Sequence, residues 1–141
     1  MPRDKKLCEP DEFVVSPIYS TSAVGYVDDP DFLNLALLFK TYFEPEALLN
    51  QLLMIEEKYG RVRSYRNAPR TLDIDLILYG SEIIKSIILT VPHPRFHERL
   101  FVLVPLNDIG SNLTHPELKV TIEELLSRRL EGDSSSKYIQ P

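Results

Sequence analysis

The chain reads as an α+β sandwich, a mostly antiparallel sheet covered by helices. Three observations predict it. Strand-like and helix-like patterns are interleaved along the chain. Several strand pairs are joined by links too short for a parallel crossover. And 43% of the 141 residues are apolar, enough for one core and too few residues for two. The implied organisation is an N-terminal extension over 1–11, a single domain over 12–130, and a tail over 131–141 that frays around Gly132 and its serines.

Each element has its own signal. Glu12 to Tyr19 predicts a strand, which Pro17 confines to an edge or an end. Ser20 to Pro30 is a loop, marked by Gly25 and Asp28-Asp29-Pro30. Phe32 to Tyr42 is apolar and strand-like; Phe32 and Asn34, two apart, share a face. Glu44 to Tyr59 predicts the clearest helix. Pro45 suits its first position and Glu46 the positive end of its dipole. Leu48, Leu49, Leu52, Leu53 and Ile55 form an apolar stripe read as core, and Gly60 offers a left-handed cap. Leu72 to Tyr79 predicts a strand closed by a turn at Gly80-Ser81. Ile83-Ile84 and Ile87 to Val91 then make a hairpin. Arg95 to Leu106 begins as a helix. Thr121 and Glu124 form a capping box for a last helix, with Ile122, Leu125, Leu126 and Leu130 on its apolar face.

Composition narrows the function classes. No run of about 18 apolar residues predicts a membrane span, and the charged Met1 to Pro10 is unlike a secretory signal. The single cysteine, Cys8, cannot form an intramolecular disulfide and fits a reducing cytoplasmic setting. A net charge of −5 argues against non-specific nucleic-acid binding. Yet Lys58, Arg61, Arg63, Arg66 and Arg70 lie in one stretch with no acidic residue. That stretch is either a site for a phosphorylated ligand or a solvated charged loop.

The chemistry gathers just after it. On a strand, Leu72, Ile74, Leu76 and Leu78 would point to one face and Asp73 and Asp75 to the other, the two aspartate Cα atoms roughly 6.5–7 Å apart. Neighbouring carboxylates repel unless a divalent cation or arginines neutralise them. Magnesium prefers carboxylate and phosphate oxygens with water, so an Asp-x-Asp strand can seat it; an exposed edge strand is the plain alternative. Arg70 stands at the mouth of that strand and Arg61, Arg63 and Arg66 in the loop before it. Their planar forks suit phosphate oxygens, and a loop bounded by Gly60 and Pro69 could close over a nucleotide. No Walker-type phosphate loop occurs. His93, held between Pro92 and Pro94, is a phosphate donor or a turn histidine. His97 and His115 read as surface residues.

Taken together, these motifs resemble a known family. Arg61-Val62-Arg63, then Pro69-Arg70-Thr71-Leu72-Asp73-Ile74-Asp75, then Pro92-His93-Pro94 and Arg99-Leu100-Phe101-Val102-Leu103-Val104-Pro105-Leu106 look like 6-hydroxymethyl-7,8-dihydropterin pyrophosphokinase. The resemblance runs from about Val15 to about Leu126. It implies a ferredoxin-like sandwich and transfer of diphosphate from ATP to the pterin's hydroxymethyl group, giving AMP, in folate biosynthesis. It implies two Mg²⁺ ions on Asp73 and Asp75. Asp75, or a water near the pair, would help take the hydroxyl proton. Arg61, Arg63 and Arg70 match the phosphate-side arginines. Glu56, Leu76, His93 and Arg99 match the ATP side. Phe32 and Phe101 match the aromatics that sandwich the pterin, Asn34 the amide that reads its edge, and Thr21 and Val24 the loop lining its pocket. Stacking and an amide suit a flat heteroaromatic; ordinary core packing is the alternative for the two phenylalanines. Other folate-pathway enzymes are possible partners.

The pattern departs from the family in places. Members begin with a strand ending in Gly-Ser-Asn and then a helix. Here Met1 to Asp11 stand before the first predicted strand, so a start further upstream, or a truncated or divergent non-catalytic member that binds nucleotide or pterin, is the alternative expectation. Asn67-Ala68 replaces a common Arg-Trp, and Leu53 replaces a polar residue found in some members.

Overall fold

The computed structural model describes residues 13–21, 32–60, 72–131 and 139–140. Cys8, Val24, Arg61, Arg63, Arg66 and Arg70 lie outside these residues, as do the side chains of Thr21 and Phe32. The architecture is α+β, with every paired strand antiparallel among the described residues.

The first half is a long antiparallel pair broken once. β1 (Phe13–Val15) pairs with β4 (Leu37–Phe39), and β2 (Tyr19–Thr21) with β3 (Phe32–Asn34). Sequence patterning predicts two unbroken strands here. The break follows from Pro17, which has no N–H to give a ladder. Between Val15↔Leu37 and Tyr19↔Asn34, three residues on one strand oppose two on the other, a β-bulge. Ser16 repairs the gap. Its N–H donates to the Ala36 carbonyl (3.0 Å), and its Oγ accepts from the Ala36 N–H (2.9 Å). The proline therefore sits in a bulge where β1 has ended and β2 has not begun, and β1 is an edge of its two-stranded sheet, in keeping with the edge or end expected.

α1 (Pro45–Ile55) has Pro45 in its first turn, as predicted, and buries Leu48 and Leu52 with Phe43. Leu53 does not join that core; it is 45% exposed. The helix then widens into a π-helical turn, Glu56–Gly60, earlier than the predicted end. Next, Leu72 to Tyr79 is an extended run that joins no ladder among the described residues, where the sequence predicts a strand. Gly80 turns it with a φ of 55°, and the Glu82 N–H closes that turn on the Tyr79 carbonyl (3.0 Å). β5 (Ile84–Lys85) and β6 (Thr90–Val91) form the predicted hairpin, though Ile87 to Leu89 lie in its tip rather than in a strand. Ser86 locks the tip through its N–H and Oγ to the Leu89 carbonyl (2.9 and 3.0 Å).

A 3₁₀ turn at Phe96–Glu98 leads into α2 (Leu100–Gly110), which continues through Pro105 to Gly110. The predicted helix therefore starts later and runs further. α3 (Ile122–Glu131) opens on the expected cap: Thr121 Oγ1 accepts the Glu124 N–H (3.2 Å). The Glu124 carboxylate itself turns to Arg128 (3.1 Å). Leu130, predicted on the apolar face, is 42% exposed. β7 (Ile139–Gln140) pairs with β2, so the far end of the tail is a strand and not frayed chain.

Two cores hold these parts. Phe96, Leu103, Leu106, Ile122 and Leu125 form one, between α2 and α3. Phe43, Leu48 and Leu52 form the other. The Leu72–Tyr79 run joins them: Ile74, Leu76 and Tyr79 pack on the second core, Ile77 and Leu78 on the first. Tyr19 ties the bulged pair to α2 by donating its hydroxyl proton to Asp108.

His115 is the clearest correction to the sequence reading. It is 4% exposed, not a surface residue. Its Nδ1 accepts the N–H groups of Glu117 and Leu118 (both 3.1 Å), and its ring stacks on Phe96 with centroids 5.4 Å apart. His97 is half-buried beside it, the two rings edge to face at 6.0 Å. Desolvation, with the His97 charge second, holds the His115 pKa below the ordinary value of 6.5.

Two stability predictions follow from this packing. Leu103, fully buried, should cost about 2–5 kcal/mol when cut to alanine, read by urea denaturation. The unfolded chain binds a proton at His115 more readily than the folded one, so acid favours unfolding as pH falls through about 6.5. Melting temperature should therefore drop on acidification, and His115→Gln, though less stable at neutral pH, should show a smaller further drop.

Candidate active site

The aspartates sit on alternate positions of the extended run, as predicted: Asp73 and Asp75 are exposed, Ile74 and Leu76 half-buried in the second core. Leu78 breaks the alternation by packing on the other core. What holds this run is a side chain from α1's end. Glu56 is only 3% exposed, and its Oε2 accepts the Ile74 N–H at 2.5 Å. Buried carboxylates need such donors. The π-helical turn is where that carboxylate leaves the helix, a common use of such bulges.

The P-H-P turn docks on the same run. The His93 N–H donates to the Ile77 carbonyl at 2.8 Å, and the Val91–Pro92 peptide is cis. His93 Nδ1 accepts the Arg95 N–H at 3.4 Å. An accepting Nδ1 leaves the ring proton on Nε2, which is then a donor.

These pieces surround one open cleft of about 350 Å³. Glu56, Asp73, Asp75, Leu76 and His93 all line it. Five residues named from the sequence thus converge, from the end of α1, the extended run and the turn after β6. The cleft also has an apolar wall of Leu49, Leu53, Ile88 and Leu89, with Thr90 beside it. Sequence reasoning assigned Leu49 to the core and passed over the hairpin residues. A signal was present: Leu49, Leu53 and Glu56 are spaced i, i+4, i+7, one face of a helix that ends in a carboxylate.

The remaining named residues stand elsewhere. Asn34 is half-buried on β3, opposite Tyr19 of β2. Phe32 and Thr21 are opposite each other in that pair. Arg99 precedes α2, and Phe101 in its first turn is 38% exposed, not core. α2 packs on β2, β3 and β4, so these residues lie on adjoining elements. Among the described side chains, Asn34, Arg99 and Phe101 do not line the cleft.

The donor set suits a hard cation. Asp73 and Asp75 are exposed carboxylates, and no group of three or more metal-ligating side chains exists among the described residues. Exposed carboxylate oxygens are the donor type that hard cations take. No described helix is long and apolar enough to cross a membrane.

A family model described as 7,8-dihydro-6-hydroxymethylpterin-pyrophosphokinase matches residues 4–111. The chain belongs to this family. It is 50% identical over 95 residues to the 2-amino-4-hydroxy-6-hydroxymethyldihydropteridine pyrophosphokinase of Bacillus subtilis, covering 67% of this chain and 57% of the relative. To the protein of the same name from Haemophilus influenzae it is 43% identical over 108 residues, covering 77% and 68%. To the folic acid synthesis protein fol1 of Pneumocystis carinii it is 38% identical over 118 residues, covering 84% of this chain and 16% of that longer protein. The pyrophosphokinase match spans the bulged strand pair, the cleft and α2; α3 lies beyond it.

Glu56→Ala should leave the Ile74 N–H without its acceptor and cost about 1–3 kcal/mol in a denaturation titration. Glu56→Gln, which keeps an acceptor oxygen, should recover most of that loss.

Proposed function

We propose that this chain transfers diphosphate from ATP to the hydroxymethyl oxygen of 6-hydroxymethyl-7,8-dihydropterin, releasing AMP, as a step of folate biosynthesis in the cytoplasm. The observation that carries the reading is the cleft in which Glu56, Asp73, Asp75, Leu76 and His93 meet. In this reading the full sheet is a ferredoxin-like sandwich, and Arg61, Arg63 and Arg70 join the cleft from the basic stretch.

The chemistry balances simply. The substrate's hydroxyl oxygen bonds to the β-phosphorus of ATP, the bond between that phosphorus and the oxygen carried by the α-phosphate breaks, and AMP leaves with the electron pair. The hydroxyl proton goes to Asp75 or to a water beside it. Asp73 and Asp75 would hold Mg²⁺, which when bound supplies positive charge against the diphosphate. The Nε2–H of His93 points a donor at phosphate oxygens. The apolar wall of Leu49, Leu53, Leu76 and Leu89 offers a flat nucleobase a dry surface. Phe32, Phe101 and Asn34, with Thr21 and Val24, hold the pterin by stacking and edge hydrogen bonds. Arg99 contacts the nucleotide beside His93. Arginines absorb charge in a step that has little covalent work for protein groups.

The test is AMP formation from ATP, the pterin alcohol and Mg²⁺. Wild type should form AMP, and Asp75→Ala should lose at least ~100-fold in rate. Because Asp75 is exposed, its loss should leave the unfolding midpoint nearly unchanged. A folded wild-type chain that forms no AMP would refute the activity and leave a binding-only member of the family.

A further inference from the structure

His93 is aimed by a backbone donor, and that donor has its own support. The Arg95 N–H holds His93 Nδ1. Arg95 is fixed from its side chain: its Nε lies 3.0 Å from Glu98 Oε2. Glu98 also donates its N–H to the Arg95 carbonyl (3.1 Å), closing the 3₁₀ turn. Its own carbonyl is gripped from α3, where Arg129 Nε donates at 2.8 Å. So Glu98 is tied to Arg95 by backbone and side chain at once, and to the body of the fold by Arg129.

We propose that Glu98 is a positioning residue for His93, holding Arg95 so that its N–H keeps the ring in the Nε2–H form facing the cleft. This rests on the nucleotide role given to His93 above. A free imidazole exchanges between its two neutral forms, and only one presents a donor to phosphate at Nε2. The turn selects that form by making Nδ1 an acceptor. The Arg95 hydrogen bond also holds the Glu98 carboxyl below the usual carboxylate range, so Glu98 stays charged near neutral pH. The second carboxylate oxygen faces His97 Nε2 at 3.9 Å, too far to compete with Arg95. The pair is exposed, so it acts on geometry and adds little to stability.

The test uses the full chain with isotopically labelled histidine and ring-nitrogen NMR. Wild type should give His93 signals of the Nε2–H form. Glu98→Gln and Arg95→Ala should each move them toward a mixture of the two forms. The same variants should raise KM for ATP about two- to fivefold while kcat changes less, the size expected for one exposed ion pair. Their effects should not add when combined, since both break one contact. Glu124→Gln, which breaks an ion pair of similar exposure on α3, should change neither readout. Unchanged His93 signals in both variants, or an equal change in Glu124→Gln, would overturn the proposal. Since the ring signals need no turnover, a wild type without AMP formation would defeat the functional reading and still leave this contact decided.

Discussion

One hydrogen bond organises the site: the Glu56 carboxylate accepting the Ile74 N–H. It joins the turn after α1 to the extended run, closing the chain between Glu56 and Ile74 into a loop. Closing such a loop costs entropy that grows slowly with its length. The bond offsets part of that cost. It also falls between Asp73 and Asp75. The backbone atom that Glu56 holds is thus the pivot from which both exposed carboxylates project. The run's apolar residues then fasten it to two cores, with Tyr79 donating to the Phe43 carbonyl at 2.7 Å. Packing that would otherwise serve stability alone here sets the position of two charges.

The bulge at Ser16-Pro17 plays the matching role for the other half of the molecule. An extra residue changes the register between the two parts of the strand pair. It thereby decides which residues of β3 stand opposite β2, and so where Asn34 and Phe32 lie. Tyr19, the first residue past the bulge, then fixes this end of the pair to α2 through Asp108. Phe101 sits at the start of that same helix. The proposed pterin side and nucleotide side are therefore set by different devices, a bulge for one and a buried carboxylate for the other.

Much of this was legible in the sequence, for local reasons. The Asp73–Asp75 alternation, the Thr121 cap, Pro45 at the start of α1 and the turn at Gly80 each depend on residues within a few positions. What the sequence hid depends on distant partners. His115 looks like a surface residue until Phe96 provides a stacking face and the turn beyond it provides two N–H donors. Leu49 and Leu53 share the apolar stripe of α1, and only the approach of the β5–β6 hairpin separates cleft wall from core. Among the described residues Leu72 to Tyr79 has no strand partner: apolar alternation predicts burial, but a ladder also needs a neighbouring strand. Family motifs named Asp73, Asp75 and His93 without any of this geometry, because those residues recur as a pattern.

Charge explains why the basic stretch and the cleft belong together. Among the described side chains lining the cleft, Glu56, Asp73 and Asp75 are acidic and His93 alone can carry positive charge. A polyphosphate entering such a cleft would meet like charge at close range, where the partly buried setting weakens screening by solvent. A hard cation on the two aspartates, as proposed, would remove part of that repulsion. On the proposed reading the rest would fall to arginines, and the sequence carries Arg61, Arg63, Arg66 and Arg70 between Glu56 and Ile74. In the same reading, an acidic protein with one basic island suits such a site: the run that carries the carboxylates is fastened to the cores by its apolar residues, and the sequence puts the basic stretch directly before it. On the proposed reading, such a cleft would disfavour bare phosphates and favour those that arrive with their cation.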